Sequence, residues 1–323
     1  MRVLFTGASS FTGAWFARAL RAHGAELVLA CRGSPEGWST PQLARLSMLG
    51  GDVELHTGCP FGSPAFLALL ERRGPFDLLA LHGARVGDHR DPHFDAPAAL
   101  AANTRGLEAV LDRLTGRERT AILATGSLFE ADEGLGEQPL RAFNPYGLSK
   151  TLTWQVLRFA AESRGLTLGK FTLGNPFGPY EKPNLCSALA RAWLAGEAPL
   201  LRQPHLVRDH APVDLLAEAY ARFALSLPSR RGTLRCNPSC FAEPLIAFAE
   251  RLALALRPRL DRPCRYRVAR PPQPSSEPHM RINTDPLPAL VPDWDFAASW
   301  DRLAAWYRTA FAGETPPTPV PAG

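Results

Sequence analysis

The pattern of apolar residues divides the first half of the chain into alternating strands and helices. Short and almost continuous apolar runs are typical of strands that are buried on both faces of a parallel sheet. Such runs occur at 2–6, 26–30, 52–56, 75–81, 120–124 and 166–174. Helical spacing lies between them, most clearly over 14–24 and 146–163. This alternation predicts an α/β fold of Rossmann type, with a doubly wound parallel sheet.

The second half of the chain contains shorter elements, which we expect to build a smaller C-terminal α/β lobe. Helical patterns cover 185–195, 241–255 and 295–311, and a short strand is predicted at 265–269. The stretches 270–278 and 315–323 are rich in proline. We expect a loop at the first of them and a disordered tail over 313–323.

Composition narrows the class of protein and the kinds of partner. The 323 residues are 46% hydrophobic and 21% charged, which is ordinary for a soluble globular protein. No run approaches the ~20 apolar residues of a membrane span, and the N-terminus lacks the pattern of a signal peptide. We therefore expect a cytoplasmic protein with no membrane partner.

Charge and cysteine content point to a small anionic ligand. The net charge is +5 and the pI is about 9.0, but no dense basic run with interleaved aromatic residues occurs. A nucleic-acid partner is therefore not expected, whereas a mild excess of arginine suits a ligand that carries phosphate. The six cysteines are scattered, so we predict reduced thiols and no metal site.

The first predicted strand ends in a turn of small residues between Gly7 and Gly13. Strand, small-residue turn and helix, in this order, form the context that a dinucleotide-binding fingerprint requires. An ordinary strand–helix turn is the alternative. Gly7 allows the tight turn, Gly13 allows close packing of the helix on the strand, and amides at the helix start face a pyrophosphate. The expected cofactor contacts are Gly7, Ser9, Ser10, Phe11, Thr12 and Gly13.

Tyr146 and Lys150 are the main candidates for acid–base chemistry. If a helix begins near Pro145, their spacing of four puts both side chains on one helical face. A phenol normally titrates at about 10, and a nearby ammonium favours the phenolate. Such a pair can take a proton from a carbinol or give one to a carbonyl oxygen. A tyrosine and a lysine on an exposed helix face have the same spacing, so the motif alone is weak evidence.

The turn from Thr6 to Gly13 resembles the T-G-x-x-G-x-x-G motif of the extended short-chain dehydrogenase/reductase family, which includes nucleotide-sugar epimerases and dehydratases. Ser10 stands where the family usually has its middle glycine. The resemblance covers nearly the whole chain, and its motifs agree in order and spacing. It implies an NAD(P) cofactor, a nucleotide-sugar substrate and a further role for Lys150 at the nicotinamide ribose.

The resemblance implies further cofactor contacts and a cofactor preference. His82-Gly83-Ala84 is similar to the family's H-x-A-A turn, and Asn103 to the N-x-x-G helix whose asparagine orders the active-site backbone. NAD-binding members place an Asp after the second strand, where this chain has Cys31 and then Arg32. Because an arginine can pair with a 2′-phosphate, Arg32 favours NADP, with NAD as the alternative.

The fifth predicted strand delivers Thr125-Gly126-Ser127 to the same edge of the sheet. By resemblance, the catalytic hydroxyl of the family falls on Thr125, and Ser127 is the second candidate and a substrate contact. Such a hydroxyl can hydrogen-bond the reacting oxygen beside Tyr146. Sugar 4,6-dehydratases of the family carry Thr-Asp-Glu in this loop. Neither Gly126 nor Ser127 has a carboxyl group, so dehydration by that mechanism is not expected.

Three residues of the second half resemble substrate contacts of the family. Asn175 begins a segment similar to the N-x-x-G-P turn, where the nicotinamide and the sugar nucleotide meet. Arg208 lies in a segment similar to R-D-x-x-x-V-x-D, and Arg281 precedes Asp285 in a similar way. Two arginine forks suit a diphosphate, so the resemblance implies a clamp made by Arg208 and Arg281.

The resemblance also implies a division of the chain and an oligomeric state. The predicted Rossmann domain comprises residues 1–174, and residues 205–235 return to it. The predicted substrate-binding lobe comprises residues 175–204 and 236–312. Members often dimerise through the helices that contain Asn103 and Tyr146, so we expect a homodimer.

Three functions share these motifs: an NADPH-dependent ketoreductase, an epimerase that retains NAD, and a non-catalytic dinucleotide-binding protein. The presence of Thr125, Tyr146 and Lys150 disfavours the third function. Because Arg32 favours NADP, we expect reduction of a keto group on a nucleotide-linked sugar, such as a 4-keto-6-deoxy sugar.

Overall fold

A computed structural model describes residues 1–87, 91–115, 120–272 and 277–312 of the chain. Its strands are β1 (Arg2–Thr6), β2 (Glu26–Ala30), β3 (Glu54–His56), β4 (Leu78–Leu81), β5 (Ala121–Ser127), β6 (Leu135–Gly136), β7 (Thr167–Leu173), β8 (Asn175–Phe177), β9 (Leu200–Leu201), β10 (Val207–Pro212), β11 (Thr233–Cys236), β12 (Pro238–Ser239), β13 (Phe241–Pro244), β14 (Arg267–Val268), β15 (Met280–Ile282) and β16 (Asp285–Pro286).

The α-helices alternate with these strands through most of the chain. They are α1 (Phe11–Ala22), α2 (Thr40–Ser47), α3 (Pro64–Arg73), α4 (Ala96–Asn103), α5 (Leu107–Leu114), α6 (Pro145–Glu162), α7 (Leu185–Leu194), α8 (Val213–Ser226), α9 (Leu245–Leu260), α10 (Leu287–Leu290) and α11 (Phe296–Ala310). Within the described residues, none of these helices is long and apolar enough to cross a membrane.

The main sheet is parallel throughout and has seven strands in the order β11-β7-β5-β4-β1-β2-β3. The order reverses between β1 and β4, because the chain first builds outward to β3 and then returns to the other side of β1. Ligands of open α/β sheets bind in the crevice at this point, outside the carboxyl ends of the strands. The predicted Rossmann-type doubly wound sheet is confirmed.

Apolar side chains fill both faces of the main sheet. On one face α1 and α8 pack together, with the rings of Phe16 and Tyr220 stacked 4.1 Å apart between centroids. On the other face α3, α5 and α6 cover the strands. Strands β1, β4 and β5 are therefore buried on both faces, which explains the continuous apolar runs that they contain.

The second half of the chain adds a separate apolar core and a smaller sheet. Helices α7, α9 and α11 enclose Trp193, Phe248 and Tyr307 in the lobe. The smaller sheet has the order β13-β10-β15-β6, with β8 also paired to β10. Strand β6 lies in the loop between β5 and α6, so this sheet joins that loop to the lobe.

One region of the lobe differs from the sequence prediction. Residues 241–255, predicted as one helix, begin as strand β13, which pairs antiparallel with β10, and α9 starts only at Leu245. Pro244 lies at the boundary in an extended conformation, so the helix begins after it. The tail over 313–323 lies outside the described residues, and the domain boundaries remain a prediction.

Candidate active site

Three segments meet where β1, β4 and β5 end. They are the turn from Gly7 to Gly13, the residues His82, Gly83 and Ala84, and the strand end from Thr125 to Ser127. Since the carboxyl ends of parallel strands lie at one edge, the topology gathers the predicted cofactor residues at the point where the strand order reverses.

The first turn is packed tightly against β4. Gly7 has φ +80°, and a Cβ built on it would lie 2.6 Å from the amide nitrogen of Gly83, so only glycine fits. Ser9 lies half-buried within the turn. The Ser10 hydroxyl donates to the Gly7 carbonyl at 2.8 Å and accepts from the Gly13 amide at 3.1 Å. Ser10 therefore caps α1, a role that its place in the motif does not predict.

His82 connects the first turn to β5. Its Nε2 lies 3.1 Å from the hydroxyls of both Ser10 and Thr12, and its Nδ1 lies 2.9 Å from the Thr125 hydroxyl. Burial and the positive charge of Lys150 lower the pKa of His82 to about 3, so the ring is neutral at physiological pH. The neutral imidazole thus joins the two segments without adding charge to the site.

Tyr146 and Lys150 both lie in the first part of α6, as the spacing predicts. Asn144 caps this helix by accepting from the Gly147 amide at 2.7 Å, and Pro145 occupies its first position. The Lys150 ammonium donates to the backbone carbonyl of Thr125 at 2.5 Å. Helix α6 is thereby attached to the end of β5.

The Ser127 hydroxyl lies beside Tyr146. The Ser127 side chain hydrogen-bonds the Tyr146 phenol, whereas the Thr125 hydroxyl is buried against His82. The choice between Thr125 and Ser127 as the catalytic hydroxyl therefore remains a prediction, with Thr125 bonded to His82 and Ser127 beside the phenol. Position in a motif does not reveal which hydroxyl faces α6.

The pKa of Tyr146 differs from the expectation based on the lysine alone. Burial, followed by the negative charge of Glu130, raises the pKa of Tyr146 above its ordinary value, and the bond to Ser127 opposes this only in part. Aromatic rings of Phe94 and Phe129 pack edge-on against the phenol. The phenol is therefore protonated at neutral pH in this structure.

Two asparagines that the resemblance singles out bond to backbone. The Asn103 side-chain oxygen accepts from the Arg85 amide at 2.8 Å, in the segment that follows β4. The Asn175 amide donates to the Asp209 carbonyl at 3.3 Å and joins β8 to β10. Asn175 remains half-buried beside the lobe, where a substrate contact is still a prediction.

The predicted arginine clamp is not assembled. Arg281 is 3% exposed, and its guanidinium donates to the carbonyls of Glu130, Glu133 and Arg141. A diphosphate needs accessible N–H donors, so this arrangement does not favour Arg281 as a clamp residue. Arg281 instead ties the loop before α6 to β15. Arg208 donates to the carbonyls of Pro278 and His279 and pairs with Glu277 at 2.8 Å.

The end of β2 carries a cysteine and an exposed arginine. Burial raises the pKa of the Cys31 thiol to about 11, so it is neutral. Arg32 follows directly and is exposed at the carboxyl edge of the sheet. The two positions that follow β2 thus present a neutral thiol and a cation at the carboxyl edge of the sheet.

A buried group of charges behind α6 is not predicted by the sequence patterns. The Lys170 ammonium lies 2.5 Å from a Glu130 carboxylate oxygen and 2.6 Å from one of Glu133, and all three side chains are 1% exposed. Arg235 pairs with Glu133 at 3.1 Å, and the ring of Trp154 covers the ammonium at 4.8 Å. This group, the Glu130–Lys170 cluster, lies directly below the Thr125–Ser127 strand end.

A parallel Rossmann-type sheet with a tyrosine and a lysine on α6 defines the class of dinucleotide-dependent α/β enzymes. The model of the NAD dependent epimerase/dehydratase family matches residues 3–230, and the chain belongs to this family. A search of curated protein sequences found no match.

Solved structures share the fold at low sequence identity. UDP-glucuronic acid 4-epimerase from Bacillus cereus, in complex with NAD and a fluorinated UDP-sugar, has a TM-score of 0.73 at 12% identity, over 96% of this chain and 100% of that one. UDP-glucose 4-epimerase from Thermus thermophilus, in complex with NAD, has a TM-score of 0.68 at 20% identity over the same shares. Pal from Bacillus thuringiensis has a TM-score of 0.72 at 16% identity, again over 96% and 100%.

Proposed function

We propose that the protein is an NADPH-dependent reductase of a keto group on a nucleotide-linked sugar, with Tyr146 as the proton donor. The observation that carries this proposal is the placement of Tyr146 one helical turn before Lys150, whose ammonium is bonded to the end of β5, with the exposed Arg32 at the same edge of the sheet. The Tyr146 phenol is half-buried and bonded to Ser127, and its raised pKa keeps it protonated at neutral pH. A protonated phenol suits the reduction of a carbonyl, because the developing alkoxide needs a proton.

The direction of the pKa shift supports the acid role of Tyr146 more than the base role. A base that removes the carbinol proton must be a phenolate, and both burial and Glu130 oppose that form. An acid that gives a proton to a carbonyl oxygen must be a phenol, and the same two influences favour it. Ser127 can donate a second hydrogen bond to the reacting oxygen.

The residues present fit a dinucleotide. The first N–H groups of α1 lack partners within the helix. The Ser10 hydroxyl accepts a hydrogen bond from the Gly13 amide, so the amides of Phe11 and Thr12 are left for a diphosphate. Lys150 lies where it can hold a ribose, and Arg32 can pair with a 2′-phosphate. The nicotinamide, when bound, supplies the hydride chemistry.

Arg32 is expected to set the preference for NADPH. Its replacement by glutamate removes a charge-assisted contact to the 2′-phosphate and places a carboxylate near it, so NADPH should bind about 10–100-fold more weakly and NADH should be preferred. Titration of each dinucleotide by calorimetry measures this. Arg72→Glu changes the same charge at the far end of α3, and it should leave both affinities as they are. Equal affinities in the wild type would remove Arg32 from the cofactor site.

An NAD-dependent nucleotide-sugar epimerase is the second candidate. It is favoured by the structural neighbours, several of which are UDP-sugar 4-epimerases in complex with NAD. In such an enzyme the same carbon is oxidised and then reduced again, and the cofactor stays bound. Asn175 and Arg208 remain the proposed substrate contacts in either case.

One experiment distinguishes the two functions. The purified protein is incubated with a nucleotide-linked 4-keto-6-deoxy sugar and NADPH, and the absorbance of the reduced nicotinamide is followed. The reductase proposal expects consumption of NADPH in proportion to the alcohol formed. Tightly retained NAD, together with epimerisation of a nucleotide sugar without added cofactor, would reject it in favour of the epimerase.

A homodimer through α6 is a further part of the proposal. Leu148, Val156 and Phe159 are exposed on this helix, and Phe159 is 76% exposed. Their spacing places them along one side of the helix, where a second copy of the chain would cover them. A sedimentation coefficient of a monomer at micromolar concentration would contradict this.

A further inference from the structure

The Glu130–Lys170 cluster shares a small cavity with the catalytic lysine. Glu130, Lys150 and Lys170 all line this cavity, together with Asn103, Thr125 and Trp154. One Glu130 oxygen accepts from the Ser127 amide at 2.8 Å, and the other accepts from Lys170 at 2.5 Å. Glu130 therefore touches the strand end that carries the Ser127 hydroxyl and faces the lysine of the catalytic pair.

The use of lysine in this chain is unusual and points to the same place. Lysine and arginine together number 36, but only Lys150, Lys170 and Lys182 are lysines. Two of these three lie around Glu130. A lysine is a compact charge whose protonation responds to its surroundings, whereas an arginine is always charged. Two of the three lysines of the chain, Lys150 and Lys170, therefore lie close to the Glu130 carboxylate.

Gly126 makes room for this arrangement. A Cβ built on Gly126 would lie 2.5 Å from Cε of Lys170 and 3.3 Å from the Glu130 carboxylate. Lys170 cannot move away easily, because two carboxylates hold its ammonium. The glycine between Thr125 and Ser127 is therefore explained by the ion pair behind it.

We propose that Glu130, anchored by Lys170, is a positioning residue of the active site that places a negative charge in the cavity of Lys150 and, through the Ser127 amide, fixes Ser127 beside Tyr146. This inference rests on the proposed function for its catalytic consequence. The geometry on which it stands, the cavity and the bond from Ser127 to Glu130, does not depend on the substrate.

The charges around Lys150 give the sign of the effect. Burial lowers the pKa of Lys150, Glu130 opposes this, and the positive charge of Lys170 acts in the same direction as burial. Among the described residues, the neutral His82 also interacts with Lys150, and Tyr146 precedes Lys150 by one turn of α6. Removal of the Glu130 charge leaves burial and Lys170 unopposed, so Lys150 should lose its proton at lower pH.

The test compares Glu130→Gln with Glu133→Gln. Both variants remove one carboxylate partner of Lys170, but only Glu130 acts on Lys150 and Tyr146. The carboxamide in Glu130→Gln retains an oxygen that can accept from the Ser127 amide, so that bond is kept while the charge is lost.

Carbon-13 at Cε of the three lysines reports their protonation by NMR across a pH series, without any substrate. Glu130→Gln should lower the titration midpoint of Lys150 by about one pH unit or more. Glu133→Gln should leave that midpoint in place, and the exposed Lys182 is the internal reference.

Activity then tests the catalytic consequence. In Glu130→Gln the basic limb of the pH profile of kcat/KM should move to lower pH together with the Lys150 midpoint. Above that midpoint, kcat/KM should fall about tenfold for each pH unit. Glu130→Asp keeps the negative charge, so its Lys150 midpoint should stay near that of the wild type. Equal midpoints in Glu130→Gln and the wild type, or the same shift in both glutamine variants, would overturn the proposal. A shifted midpoint in a protein that consumes no NADPH would instead reject the proposed function alone.

Discussion

Replacing Tyr146 by phenylalanine is expected to reduce turnover by about 10²–10⁴-fold, because general acid catalysis by a positioned side chain contributes that much. The phenol is the group bonded to Ser127, and phenylalanine removes only its hydroxyl. The packing against Phe94 and Phe129 remains possible, so the fold and the affinity for the dinucleotide should change little. Consumption of NADPH with saturating keto sugar measures the rate.

Tyr266→Phe is the matched control for this change. Tyr266 donates its hydroxyl to Glu250 at 3.1 Å in the lobe, away from the cofactor edge of the sheet. It should retain the turnover of the wild type. If Tyr146→Phe also did so, Tyr146 would not be the proton donor, whichever sugar is the substrate. A loss of dinucleotide binding in Tyr146→Phe would instead show that the phenol holds the cofactor.

The central strands of the main sheet could be predicted because burial on both faces leaves a strong signal. Strands β1 and β2 begin and end at the predicted residues. Strand β11 is not predicted, since it lies at the edge of the sheet beside β7, and its exposed residues alternate with one partly buried and one buried residue. Helix α3 is not predicted either, although Ser63 and Pro64 form a start signal and Phe66, Leu69 and Leu70 follow a helical period.

The location of the site could be predicted more reliably than the direction of its side chains. Motif order places Tyr146, Lys150 and Ser127 at one edge, and the sheet topology explains why. The pattern does not say which of two hydroxyls, Thr125 or Ser127, faces α6. This depends on His82, which comes from another strand and takes the Thr125 hydroxyl.

Long-range contacts also decide the role of charged residues. Arg281 matches a motif position, but its donors are used by carbonyls of the loop before α6, and neighbouring residues in the sequence carry no sign of this. The Glu130–Lys170 cluster likewise joins β7, β11 and that loop. The scarcity of lysine is the signal in the sequence that could have directed attention to it.

Lys170→Met is expected to lower the free energy of unfolding by about 3–5 kcal/mol, the usual cost of removing one partner from a buried ion pair. Methionine has nearly the same length and remains apolar under the Trp154 ring, so packing changes little. Glu130 and Glu133, each 1% exposed, would lose the ammonium that both of them bond. Arg235 can compensate only Glu133, because it pairs with that carboxylate alone in this cluster.

Urea unfolding followed by circular dichroism measures the loss, with Lys182→Met as the control. Lys182 is exposed, and its replacement should change the free energy of unfolding by less than about 0.5 kcal/mol. If Lys170→Met is as stable as this control, the two carboxylates do not depend on the ammonium, and the cluster is not the charged unit described above. If Lys170→Met is less stable and Lys170→Arg is no more stable than Lys170→Met, the space beside Gly126 admits only the narrow ammonium. The distance of 2.5 Å between a Cβ built on Gly126 and Cε of Lys170 indicates how small this space is.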